Sequence, residues 1–234
     1  MHLLNLLSAA LLFAAPLFSQ GTLSLTFSPT LAEKPLELGK KLYHSATGDS
    51  FQVNALRFYI TGIELQGTDG TIFIEKDSYH LIDAEDSSTQ TIMLKNVPDG
   101  RYDAIRFNIG TDSVTNVSGA MGGDLDPTKG MYWAWNTGYI NFKIEGKSDV
   151  CKTLHHAFEF HVGGYMPPHP TVRQIILPLK KVKITAQKDV GIQIDADLAL
   201  FFDQIQLSKT NQVMIPSKQA ALLADDFKNI FSIH

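Results

Sequence analysis

Apolar and polar residues alternate one for one through much of this chain, a period that suits a half-buried strand and not a helix. In Arg101–Gly110, Ile105, Phe107 and Ile109 fall on one face and Arg106 and Asn108 on the other. In Tyr139–Gly146, Ile140, Phe142 and Ile144 alternate with Asn141, Lys143 and Glu145. The same reading predicts strands at Thr22–Phe27, Phe51–Leu65, Thr71–Ile74, Tyr79–Asp83, Thr91–Val97, Leu154–Val162, Thr171–Leu179 and Val190–Asp195. Thr68-Asp-Gly70, Pro98-Asp-Gly100 and Gly163-Gly164 supply turn signals between them. So many short strands with one polar face predict an all-β fold of the antiparallel kind, a β-sandwich or a barrel. Within Phe51–Leu65 the apolar face switches from Phe51, Val53 and Ala55 to Leu56, Phe58 and Ile60. A bulge or sheet crossover is therefore expected near Ala55–Leu56.

Two helices complete the pattern. Leu198, Phe201, Phe202 and Ile205 recur at helical spacing behind Asp197, which predicts one short helix. Ser217 is placed to cap a C-terminal helix carrying Leu223, Phe227, Ile230 and Phe231 on one stripe. No repeat, low-complexity tract or linker divides the chain, so residues 21–234 read as a single domain. Residues 1–20 read as a signal peptide. The apolar run Leu3–Ala15 has the length of its hydrophobic region and is too short to cross a bilayer, which takes roughly 20 apolar residues. No later segment is apolar for long enough to form a transmembrane span, so the mature chain is expected in the periplasm or on the cell surface.

Charge and cysteine content narrow the function. The 24 acidic residues outnumber the 20 basic ones, and a net charge of −4 argues against a nucleic-acid partner, which needs a basic stripe. Lys180, Lys181 and Lys183 read as the solvated face of a strand. Cys151 is the single cysteine, so no intrachain disulfide staples the fold. A domain of this size buries roughly 70–75% of its extended-chain surface and needs no staple. The zinc-protease, nucleophile-elbow, phosphate-loop and paired-cysteine signatures of common enzymes are all missing, so a non-enzymatic role is expected. Asp124-Leu-Asp126-Pro-Thr-Lys-Gly130 has its glycine at the wrong offset for an EF-hand, and an Asp-Pro turn competes with a calcium loop there.

Two motifs stand above this background. Met131-Tyr-Trp-Ala-Trp135 contains both tryptophans, and an extended backbone places Met131, Trp133 and Trp135 on one face. The competing reading is an aromatic core pair. In Phe158-Glu-Phe-His161-Val-Gly-Gly164, His155, Glu159 and His161 face away from the apolar side, just before a Gly-Gly turn and the Pro-rich Met166–Pro170 segment. Histidine and methionine beside an aromatic ring are donors that suit copper.

Several segments, in order along the chain, carry a resemblance. They are Leu56-Arg-Phe-Tyr-Ile60, Tyr79-His-Leu-Ile-Asp83, Pro98-Asp-Gly-Arg-Tyr-Asp103, Phe107-Asn-Ile-Gly110, Gly123-Asp-Leu-Asp-Pro127, Gly130-Met-Tyr-Trp-Ala-Trp135 and Phe160-His-Val-Gly-Gly164, with Gly138-Tyr-Ile140 and Glu145-Gly146 between the last two. Together they resemble the MbnP-like family, exported copper-protein relatives found in methanobactin operons and elsewhere. This form is similar to the Bacteroidetes-like branch and lacks the four-cysteine pattern, keeping only Cys151. The resemblance implies a β-sandwich that binds copper. It also implies a partner, a di-haem peroxidase of the MbnH type, which oxidises a tryptophan to kynurenine. It makes His161 the candidate metal ligand, and Trp133, Trp135 and Met131 the modified or site-lining residues. The alternative is an exported non-enzymatic module that holds a protein or glycan through the Gly110–Gly130 loop and the aromatic pair, without metal.

Overall fold

A computed structural model describes residues 20–135, 138–186 and 188–233, so the predicted signal peptide lies outside the described residues. Two sheets pack face to face. The smaller has five strands, with Gln20–Leu31 between Val190–Asp197 on one side and Thr91–Pro98 and Lys34–Pro35 on the other. The larger has ten, built on the path Arg173–Ile184, Gly100–Ile109, Ser50–Gly67, Gly138–Lys147, Ala157–Gly163 and Gln212–Val213. This is the expected sandwich. Two pairings are parallel rather than antiparallel, Gln20–Leu31 with Val190–Asp197 and Ala157–Gly163 with Gln212–Val213, because long connections return each later strand in the same direction.

The core forms where the alternating residues of both sheets meet. Phe27, Phe58, Phe107 and Phe231 are joined by edge-to-face contacts between 5.6 and 6.5 Å. Each such ring contributes about 1.5–3 kcal/mol by leaving water. The long strand Ser50–Gly67 keeps one face on this core by slipping twice. A register shift leaves Asn54 unpaired between Val53 and Ala55, one residue before the predicted switch. A second shift, which the sequence reading missed, comes at Gly62, whose φ of +60° suits a residue without a side chain. Phe51, Val53, Leu56, Phe58, Ile60, Ile63 and Leu65 thereby reach the same core.

Three other expectations change. Ile140 does not share the face of Phe142 and Ile144, because the register shifts between Ile140 and Phe142. Leu154–His156 form a turn in which His155 and His156 have φ of 59° and 56°, so the strand begins at Ala157 and His155 leaves the face of His161. The strand predicted at Thr171–Leu179 runs from Arg173 to Ile184, where Lys180 and Lys183 are exposed.

Both predicted helices are present but shorter than their stripes, with Ile205 beyond the first and Ile230 and Phe231 beyond the second, where Phe231 is in a strand. A further short helix was not predicted. α1 (Ser113–Val117) is capped by Asp112. α2 (Ala199–Phe202) starts where Asp197 accepts from the Ala199 N–H, and Leu198, Phe201, Phe202 and Ile205 are all buried. α3 (Lys218–Phe227) is capped by Ser217 and closes the core by stacking Phe227 on Phe142 at 4.0 Å. Arg173 clamps Asp225 of α3 with two hydrogen bonds of 2.8 and 3.1 Å. Among the described residues, no helix is long and apolar enough to cross a membrane.

Candidate functional site

The outer face of the large sheet carries a second, smaller apolar cluster of Tyr59, Leu81, Leu125, Met131, Trp133, Tyr139 and Ile140. The stretch from Thr111 to Trp135 folds over it as a roof. Asn116 donates from Nδ2 to the Thr111 carbonyl and accepts the Tyr139 N–H, while buried Asn141 accepts the Thr111 N–H and donates to Thr171. Asp124 accepts from the Leu81 N–H at 3.1 Å and from Lys129 Nζ at 2.6 Å, and its carbonyl accepts from Tyr59 Oη. Asp126 caps the following turn through Thr128. The acidic segment is therefore a turn that fastens the roof, and the calcium-loop reading finds no free pair of carboxylates in it. Burial, then the neighbouring Tyr139 and the charge of Asp124, pushes the Tyr59 phenol far above its ordinary range, so it acts as a neutral donor.

The tryptophan motif enters this cluster as one arm of a short hairpin. Tyr132–Trp133 pairs with Gly138–Tyr139, and Met131 accepts the Ile140 N–H at 2.9 Å. Met131 is fully buried and Trp133 nearly so, as the shared-face expectation required. Trp135 departs from it. It lies in the turn beyond the strand, 64% exposed, with its ring 5.6 Å from that of Trp133 and tilted by 42°. The pair thus couples a buried indole to one that faces water.

His161 stands on the same outer face, in a polar row formed by cross-strand partners. Asp83 pairs with Arg57, Arg57 with Lys143, and Lys143 with His161. His161 Nε2 lies 2.7 Å from Glu145 Oε1, and Lys143 Nζ lies 3.1 Å from the same oxygen. The hydrogen bond from His161, reinforced by Lys143, holds the Glu145 carboxyl down at about 2 against the opposing effect of burial. An ionised carboxylate accepts, so Nε2 of His161 donates and the lone pair of the neutral ring sits on Nδ1. A carboxylate that orients a histidine through one nitrogen and leaves the other for a metal is the usual support of a ligating imidazole. Glu145 is the member that sequence reasoning missed. The signal was present in the alternation, since Lys143 and Glu145 share the polar face of their strand.

Gly163 joins the two motifs. It lies two residues beyond His161 on the same face, and a Cβ placed on it would meet Trp133 Cζ3 at 2.9 Å and Cη2 at 3.1 Å. The benzo edge of Trp133 therefore rests on the backbone next to His161, which needs glycine at that position. Met131, Trp133 and Trp135 lie together in the hairpin, and the seat on Gly163 brings Trp133 within two residues of His161 along the neighbouring strand. Three other histidines bond elsewhere: His44 to Ser50, His80 to Glu75, and His156 to the Cys151 carbonyl. Among the described residues, no three histidine, cysteine or carboxylate side chains form a ready metal-binding group.

A family model described as MbnP matches residues 20–215. The chain belongs to the MbnP family. The match takes in the polar row, the tryptophan hairpin and His161, and it ends just before α3. The solved structure of MbnP from Methylosinus trichosporium is similar, with a TM-score of 0.63 over 91% of this chain and 97% of that one. The two share 15% sequence identity, so this likeness speaks for the MbnP fold. No curated protein sequence matches the chain.

Proposed function

We propose that this MbnP-family protein is an exported, non-enzymatic copper-binding protein of the periplasm or cell surface, in which His161 is a ligand beside the Trp133–Trp135 pair. The observation that carries the reading is the Glu145–His161 hydrogen bond at 2.7 Å, which leaves one imidazole nitrogen for a metal next to an oxidisable indole. Copper fits the donors present, an imidazole on a face that also carries methionine and aromatic side chains.

The reading includes maturation by a di-haem peroxidase partner of the MbnH type, which would oxidise one of the two tryptophans to kynurenine. Trp135 is the more accessible to an external oxidant. Kynurenine exposes an aryl amine where indole has no free lone pair, so oxidation there would add a nitrogen donor to the His161 site. Intact mass and visible absorbance of protein from its native host test this step, and unmodified tryptophans in that material would refute it. Copper titration of the wild type and His161→Ala tests the ligand, with loss of tight binding in the variant as the expected result.

A second reading is a metal-free module that holds a protein or glycan. It rests on α1, which exposes Val114 and Val117 one turn apart on the roof. A wild-type protein without a tight copper site would favour it.

A further inference from the structure

The outer face of the small sheet carries a cavity of about 380 Å³ that the site above does not use. In the parallel pair, Gln193 lies beside Thr26, Asp195 beside Ser28 and Asp197 beside Thr30. Ile192, Ile194 and Ala196 are buried, so the alternation turns Gln193, Asp195 and Asp197 outward. Asp197 accepts the Ala32 N–H at 2.8 Å and the Glu33 N–H at 3.2 Å. It thereby holds a turn in which both residues have positive φ, 52° and 61°, and this fixes Glu33 at the cavity wall. Thr30 lines the same cavity. It is 8% exposed, and its hydroxyl is buried without a hydrogen-bond partner among the described residues. A buried hydroxyl left unpaired is destabilising by itself and marks a place for a polar group from outside the chain.

We infer that this cavity binds a primary alkylammonium group, the end of a free diamine or of a lysine side chain. Two carboxylates, Glu33 and Asp195, stand on its walls, and no basic side chain lines it among the described residues. Gln193 Nε2 donates to Asp195 Oδ1 at 3.1 Å and orients that carboxylate. An ammonium group has three donors and no acceptor. The carboxylates and the Thr30 hydroxyl supply acceptors for it, and a charge-assisted hydrogen bond to a carboxylate is about twice as strong as a neutral one. The rest of the wall, with Pro29, Pro35 and Leu36, is apolar and suits the methylene chain behind the charge. A bare hard cation makes no use of that wall, since its ligands are oxygens. Among the described residues, no aromatic ring lines the cavity to stack on the face of a sugar.

Isothermal calorimetry on the full chain tests this with putrescine, a peptide carrying one internal lysine, butanol and calcium. The proteins are the wild type, Glu33→Gln, Thr30→Val and Glu85→Gln, the last removing an equal charge from the adjoining cavity. The expected result is binding of an amine, no binding of butanol, and a loss of about tenfold in Glu33→Gln. Glu85→Gln should bind as the wild type does. Thr30→Val should weaken binding about fivefold while raising the melting temperature of the ligand-free protein, because it deletes the unpaired hydroxyl and keeps the shape. A variant that was merely misfolded would melt lower. Tighter binding of putrescine assigns the site to a small molecule, and tighter binding of the peptide assigns it to a partner protein. Failure of both amines, or calcium binding in their place, would overturn the inference. So would wild-type affinity in both Glu33→Gln and Thr30→Val, or equal losses in Glu33→Gln and Glu85→Gln.

Discussion

Replacing Glu145 with glutamine removes a charge without changing the shape of the side chain, and the structure fixes both the size and the pH range of the effect. An ordinary glutamate titrates near 4.5, whereas Glu145 is held at about 2 by His161 and Lys143. Because the folded state holds the proton more weakly than the unfolded chain, the carboxylate contributes stability above pH 4.5 that is lost as pH falls toward 2. The ceiling at neutral pH is about 3 kcal/mol. About a third of the side chain is in water, at 32% exposure, and screening brings the expected contribution down to about 1–2 kcal/mol. Urea unfolding of the wild type and Glu145→Gln at pH 7, 5, 4 and 3 measures it. Other carboxylates that the fold favours, among them Asp112 and Asp225, titrate in the same window, so the informative quantity is the difference between the two proteins. That difference is expected to be largest at pH 7 and to shrink steadily below pH 4.5. A constant difference across the range, or none, would refute the idea that His161 and Lys143 stabilise an ionised Glu145.

Gly163→Ala should cost about 1–3 kcal/mol, because the new methyl group meets the Trp133 ring and the Tyr139 carbonyl. Thermal unfolding measures the loss, and a shift in tryptophan emission reports the displaced ring. Trp135→Ala should change stability by less than about 1 kcal/mol, as its ring is largely in water, whereas Trp133→Ala should cost about 3–5 kcal/mol. Equal losses in a denaturant series of the two variants would contradict the division of the pair into a buried and an exposed indole.

Much of this fold could be read from period alone, and the failures cluster where the period breaks. Ile105, Phe107 and Ile109 keep a clean alternation and land on the core as expected. The strand Ser50–Gly67 shows why local reading runs out. Its first slip was visible as a change of face, but the second, at Gly62, is fixed by pairing with a strand far along the chain. Ile140 was misassigned for the same reason, since a one-residue shift sends a side chain to the opposite face without altering the pattern of residue types. At the site, Trp133 and His161 could be singled out by their chemistry. The seat of Trp133 on the strand of His161 could not, because it depends on the absent side chain of Gly163. Glu145 was legible only as a polar member of its segment until the register brought it within hydrogen-bond reach of His161.

The two ends of the described chain meet inside the molecule. Phe27, on the first described strand, touches Phe231 on the last, and Phe231–Ser232 pairs with Asp195–Ala196. Phe231 also contacts Phe58, Phe107 and Phe227, so the final strand works as a bolt through rings contributed by distant parts of the chain. The interior consequently stays open until Phe231 arrives, and a polypeptide emerging in sequence has no complete core to close around before that residue is free.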